Sequence, residues 1–166
     1  MEFKISTRGL IGFHSFFLRM VHGNGVMNTE FLGYEPLVGE IQSTRTGALV
    51  ASENGIAVAY GLANAQGRGI TFIEPGTHVY EGMVIGNTAK GEQMTVNPIK
   101  GKHLTNMRAS VADEAIHLTS PRVITIETGL EVMDKDEYLE VTPESVRLRK
   151  KYLSEVNRTR AKRENQ

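Results

Sequence analysis

Short apolar runs separated by glycine-containing turns occupy residues 47–97, and this pattern constrains the fold more than any other feature of the chain. The runs are three to five residues long, and the turns between them recur every 10 to 15 residues. Such spacing predicts a small antiparallel β-sandwich or β-barrel. The predicted strands are residues 47–50, 56–60, 69–73, 83–86 and 94–96.

The first 36 residues predict a strand, a helix and a second strand. Residues 2–7 and 26–34 alternate apolar with polar side chains, whereas apolar residues between Leu10 and Val21 recur at helical spacing. Two strands and one helix leave unpaired edges and an uncovered aromatic stripe. The missing cover is another part of a longer protein, the second half of this chain, or a second copy of it.

Residues after 115 predict a helix, a hairpin and a basic tail. Residues 124–133 are expected to be helical, with an apolar face of Ile126, Leu130 and Met133 opposite Glu127 and Glu131. Segments 138–141 and 146–148 predict a last hairpin around the turn at 142–144. A tail helix is expected to begin after Ser154 as its N-cap.

Charge is segregated although the formal net charge is zero. Residues 145–166 hold eight Lys or Arg and two Glu, which gives the tail a net charge of +6. The other 144 residues hold eleven basic and seventeen acidic side chains, a net charge of −6. Residues 97–110 contain no acid despite that surplus. This asymmetry predicts partners that carry negative charge.

The composition indicates a soluble protein of a reducing compartment, and we expect it in the cytoplasm. Cysteine is absent, so a disulfide framework and a thiolate zinc site are excluded. No stretch approaches the roughly 20 apolar residues that span a bilayer, and the first residues do not resemble a signal peptide.

Catalytic motifs are missing from the sequence. It has no G-x-x-x-x-G-K-[S/T] phosphate loop, no G-x-S-x-G nucleophile elbow, and no histidines at metal-ligand spacing. We therefore expect no catalysis, no metal and no cofactor in this chain. Residues 75–86 are similar to the hairpins of biotinyl and lipoyl carrier domains, but Lys90, between Ala89 and Gly91, does not reproduce their modified lysine.

Two basic segments are candidates for RNA contact. In the acid-free segment, cations would contact phosphates, and His103 and Asn106 would contact sugars or bases; the alternative is a solvated loop. For the tail, the alternative to RNA contact is a disordered solubilising arm. The predicted RNA-binding residues are Lys100, Lys102, His103, Asn106, Arg108, Arg147, Arg149, Lys150 and Lys151.

Five strings make the chain resemble the C-terminal region of the TypA/BipA translational GTPases. They are residues 6–13 (STRGLIGF), 24–28 (NGVMN), 79–86 (VYEGMVIG), 102–110 (KHLTNMRAS) and 140–143 (EVTP).

The resemblance implies a domain organisation. Residues 1–36 would be the second half of the last ferredoxin-like domain, and residues 37–166 a family-specific C-terminal domain with a small antiparallel β-barrel, a short helix, a long basic loop and a basic tail. The expected fold class is thus α+β, mainly β. The GTPase domain, with its GTP and magnesium, would lie upstream.

The resemblance also implies a function. This module would dock the factor on the ribosome through ribosomal RNA, and the loop 97–110 would reach the acceptor end of tRNA. The alternatives are a protein-interaction module, including self-association through the helix face 10–21, and a small-ligand or carrier barrel.

Overall fold

A computed structural model describes residues 1–36, 39, 47–101 and 116–164 of the chain. Their strands form a six-stranded sheet and a separate two-stranded ribbon. In chain order the elements are α1 Thr7–Leu10, α2 Phe13–Met20, β1 Ala48–Ala51, β2 Gly55–Ile56, α3 Ala59–Gln66, β3 Gly69–Thr71, β4 His78–Val79, β5 Met83–Thr88, β6 Met94–Val96, α4 Ile126–Val132, β7 Glu137–Val141, β8 Val146–Lys150 and α5 Glu155–Glu164.

The large sheet is open and mixed. Its strand order is β6-β1-β5-β8-β7, and β3 also pairs with β5. The pair β1–β6 is parallel, and the other pairs are antiparallel. The predicted α+β, mainly β class is confirmed, but within the described residues this sheet does not close into the predicted antiparallel barrel. The open sheet instead buries its two faces against α3 and α4.

The core has one layer on each face of the sheet. On one face, Leu49 and Ile85 pack in a buried cluster with Leu62 of α3. On the other face, Val50, Val84 and Leu148 cluster with Val132 of α4. Alternate residues of β1 and β5 thus point to opposite layers, so these central strands are apolar on both sides.

Helix α3 replaces part of a predicted strand. The sequence predicts a strand over 56–60, whereas β2 ends at Ile56 and α3 begins at Ala59. The segment AYGLANAQ is rich in alanine and has no β-branched residue, which favours a helix. Gly61 allows a close approach, since a Cβ there would lie 2.3 Å from the carbonyl oxygen of Pro98.

Helix α4 forms as predicted but buries a different face. Ile126 and Leu130 are exposed, whereas Gly129, Glu131 and Val132 are buried. A Cβ on Gly129 would lie 2.4 Å from the Leu139 side chain, so the glycine permits close packing on β7. The sequence pattern could not show this contact, nor the ion pair between Glu131 and Arg122 at 3.1 Å.

The N-terminal residues 1–36 contain helices but no strands. The predicted helix of residues 10–21 is present as α2, whereas α1 forms where the first strand and its turn were expected. Gly12, whose φ is 75°, separates the two helices. The predicted strands at 2–7 and 26–34 are not formed. A strand needs a partner to satisfy its backbone groups, and the described residues provide none for these two segments.

The last hairpin and the tail helix agree with the predictions. Strands β7 and β8 pair in register from Glu137 with Lys150 to Val141 with Val146. The turn is fixed by the Thr142 hydroxyl, which accepts a hydrogen bond from the Ser145 N–H at 3.0 Å. Helix α5 begins one residue after Ser154.

Candidate nucleic-acid interface

The start of the predicted basic loop is anchored at the end of β6. The Asn97 amide donates to the Glu53 carboxylate at 3.0 Å, and its side-chain oxygen accepts from the Ile99 N–H at 3.1 Å. The carbonyl of Pro98 accepts from the Val58 N–H at 3.0 Å. Lys100 then projects from a fixed stem and is exposed. Four further predicted contacts lie outside the described residues: Lys102, His103, Asn106 and Arg108.

Arg147 and Arg149 share one face of strand β8. Arg149 forms an ion pair of 2.7 Å with Glu140, and its guanidinium carbon lies 5.0 Å from the centre of the Tyr138 ring. Arg147 stands opposite Glu140 in the β-ladder and is partly buried. Glu140 therefore offsets part of the positive charge that this face presents.

Tyr80 also binds Glu140, by donating a hydrogen bond from its hydroxyl. Burial, together with this hydrogen bond to a carboxylate, raises the pKa of the Tyr80 phenol. Tyr80 and Arg149 thus hold the Glu140 carboxylate from two sides, which fixes the hairpin face relative to the turn before β5.

Lys150 lies on the opposite face of β8, where it is buried and paired with carboxylates. Its side chain is only 3% exposed, and its ammonium lies 2.8 Å from carboxylate oxygens of both Asp136 and Glu137. An ammonium held in this way does not present itself to an external phosphate, which argues against the RNA contact predicted at this position. Lys151 is exposed, and its ammonium lies 5.7 Å from the centre of the Tyr152 ring.

Helix α5 turns back across the end of the sheet to β6. The Glu155 N–H donates to the Glu81 carboxylate at 3.0 Å, which places a negative charge at the helix N-terminus. The Thr95 hydroxyl donates to the Glu155 carboxylate at 3.3 Å. Hairpin β7–β8 and strand β6 lie at opposite ends of the strand order, yet α5 brings the tail close to the strand from which the basic loop leaves.

Arg158 is a site residue that sequence reasoning did not single out. It is 6% exposed, and its guanidinium donates to the carbonyl oxygens of Tyr152 and Leu153. Nothing in the spacing of the basic tail distinguishes this arginine from its exposed neighbours. Its burial becomes visible only when α5 is placed against the loop that precedes it.

Other kinds of site have little support in the described part of the chain. There, no three His, Asp or Glu side chains gather as metal ligands would. Among the helices described, none combines the length and apolar character that a bilayer crossing demands. Lys90, the residue of the carrier alternative, is exposed after β5.

The fold and this distribution of charge define an α+β domain with exposed basic residues, among them Lys100 and Lys151. Residues 46–155 match the family model described as the TypA/BipA C-terminal domain. The chain therefore belongs to the TypA/BipA family and contains its C-terminal domain.

Curated relatives agree with this assignment. Three proteins described as "Large ribosomal subunit assembly factor BipA" are similar to this chain. The protein of Synechocystis sp. is 44% identical over 90% of this chain, and that of Bacillus subtilis is 42% identical over 96%. The protein of Escherichia coli K12 is 44% identical over 98%. The matches cover 25%, 26% and 27% of those proteins, so the chain spans about a quarter of their length.

Proposed function

We propose that this chain is the C-terminal module that docks a translational GTPase on the ribosome. It binds ribosomal RNA and the acceptor end of tRNA through the loop 97–110 and the basic tail. GTP, magnesium and catalysis belong to an upstream part of the parent protein, which works in the cytoplasm. The relatives' description as large ribosomal subunit assembly factors supports the ribosome as partner.

The observation that carries this proposal is the return of α5 to β6. Residues 97–110 and 145–166 are the two basic segments of a chain whose formal net charge is zero, and they are separated by more than 30 residues. A hydrogen bond joins Thr95 to Glu155. Thr95 lies two residues before Asn97, and Glu155 is the first residue of α5. Lys100 at the start of the loop and the exposed cations of the tail can therefore face one RNA surface, and phosphate neutralisation then supplies most of the affinity.

Replacement of the loop cations tests this function. Lys100→Ala with Lys102→Ala in the full-length factor should weaken ribosome association, and adding Arg108→Ala should weaken it further. The matched control is Arg68→Ala with Lys90→Ala, which removes two exposed cations near β3 and β5. Sedimentation with ribosomes at several salt concentrations measures the effect. An unchanged ribosome profile for the triple loop variant would refute the role of the loop.

A second function, protein contact, is favoured by the exposed apolar residues of segment 1–36. Phe13, Phe16 and Met20 of α2 are exposed, as are Phe3 and Phe31 in the flanking segments. We propose that residues 1–36 are the second half of a ferredoxin-like domain and that residues 37–166 form the family-specific domain. The apolar surface would then be covered by the first half of that domain in the parent protein.

The same surface gives the isolated chain a route to self-association. Light scattering of the 166-residue chain should show species larger than a monomer, and Phe13→Ser with Phe17→Ser should reduce them. Ile70→Ser, which removes an exposed apolar residue of β3, is the control. A chain that stays monomeric at all concentrations would contradict self-association.

A further inference from the structure

A basic cleft lies between the end of β8 and helix α5. Its volume is about 420 Å³. Tyr152 and Ala161 form part of the wall, and the other lining residues are charged. Five are cations and one is a carboxylate: Lys135, Lys150, Lys151, Arg158, Lys162 and Asp136.

The positive charge of the cleft exceeds what nearby carboxylates neutralise. Asp136 and Glu137 both bind Lys150 at 2.8 Å, so these two acids are engaged with the most buried lysine. Within the described residues, no ion pair joins a carboxylate to Lys151, Arg158 or Lys162. A cleft lined by cations in this way raises the local concentration of anions.

Arg158 provides an independent indication of a ligand. Its Nη1 atom donates hydrogen bonds to the carbonyl oxygens of Tyr152 and Leu153. Its Nε and Nη2 atoms are buried and have no hydrogen-bond partner among the described residues. A guanidinium is charged at all physiological pH values, and a buried donor without an acceptor is costly. Arg158 lines the cleft, so an anion held there would lie beside this incompletely hydrogen-bonded guanidinium.

We propose that this cleft binds a phosphate group. Phosphate oxygens match the fixed fork of a guanidinium, and Lys151 and Lys162 provide point charges beside it. The exposed Tyr152 ring offers a surface on which a base can stack, so the phosphate of a nucleotide unit fits the cleft best. The source is RNA or a free phosphate compound. The RNA form rests on the proposed function, whereas the phosphate chemistry stands without it.

The side-chain Nε–H signal of Arg158 reports directly on this site. In nitrogen-edited NMR spectra of the 166-residue chain, inorganic phosphate and a short single-stranded RNA are titrated separately, with sodium chloride at matched ionic strength as the reference. A saturable shift of the Arg158 signal beyond that in chloride is the expected result.

Two single substitutions on α5 separate the cleft from general charge. Lys162→Gln removes a cleft cation and should raise the phosphate concentration at the midpoint of the titration roughly tenfold. Arg160→Gln removes the same charge from the same helix, at a residue that pairs with Glu164 and does not line the cleft. It should leave the midpoint of the titration unchanged. Circular dichroism verifies that both variants retain their helices.

Each outcome decides the proposal. A shift with both ligands, or with either one alone, supports a phosphate site and identifies its source. No shift with either ligand, or equal weakening by Lys162→Gln and Arg160→Gln, overturns it. RNA binding with a silent Arg158 signal would reject the cleft but retain the proposed function. A phosphate-dependent shift without any RNA binding would support the cleft as a phosphate site but would contradict the proposed function.

Discussion

Lys150→Met tests whether this residue stabilises the fold or contacts RNA. Methionine keeps most of the length of the lysine stem and removes only the ammonium. The substitution removes the Lys150 ammonium from the Glu137 carboxylate, whose side chain is fully buried. Removing one member of a buried pair typically costs 3–5 kcal/mol. Because Asp136 is half exposed and gains water when released, we expect a loss near the lower bound, about 3 kcal/mol.

Urea denaturation of the 166-residue chain measures this loss. With a slope of about 2 kcal/mol per molar urea, the midpoint should fall by about 1.5 M. Lys150→Met combined with Glu137→Gln removes both buried charges and should recover at least half of the loss. Lys151→Met, at the exposed neighbour, should change stability by less than about 0.5 kcal/mol.

RNA affinity measured on the same variants decides between the two roles. The structural role predicts that Lys150→Met, studied where it remains folded, binds RNA nearly as well as the unsubstituted chain. Unchanged stability combined with clearly weaker RNA binding would refute the reasoning from burial and would return Lys150 to the set of binding residues.

Three further substitutions test local features of the fold. Gly82→Ala should cost about 2 kcal/mol and increase hydrogen exchange in α5, because φ is 84° and the new Cβ would lie 2.6 Å from the Leu153 Cα atom. Thr125→Ala should cost about 1 kcal/mol in urea denaturation, since it removes the capping box of α4. Tyr80→Phe should cost about 1 kcal/mol by losing the hydrogen bond to Glu140. The raised pKa of Tyr80 adds stability that is lost as pH rises above about 10, and Tyr80→Phe should lack that component in alkaline titrations.

Local patterns predicted the elements that depend on local chemistry. The hairpin β7–β8 and helix α5 follow their sequence signals closely, because a turn and a helix start are determined within a few residues. The buried face of α4 was wrong, since Gly129 packs on Leu139, and Glu131 is buried through its pair with Arg122. Such contacts depend on which element packs against the helix. The spacing of apolar residues along the helix does not identify that element.

In the candidate site, the sequence likewise does not predict which basic side chains are accessible. The sequence places Lys150 and Lys151 in one basic segment, but Lys150 lies on the buried face at the last residue of β8, whereas Lys151 follows the strand and is exposed. Arg158 appeared to be one more tail cation, yet it is buried beneath the turn into α5. The sign and number of charges follow from the sequence, whereas their availability to RNA depends on tertiary contacts.

That availability leads to a last prediction, on salt dependence. Of the eight tail cations, Arg149, Lys150 and Arg160 have carboxylate partners. The other five could contact phosphates, so the tail should contribute a slope of log affinity against log salt of about 3.5 to single-stranded RNA, not the roughly 5.6 that all eight would give. In anisotropy titrations, each of Lys151→Gln and Lys162→Gln should lower the slope by about 0.7, and Arg160→Gln should lower it much less. Equal losses at all three positions would show that charge number alone, and not the tertiary contacts of the tail, sets its affinity for RNA.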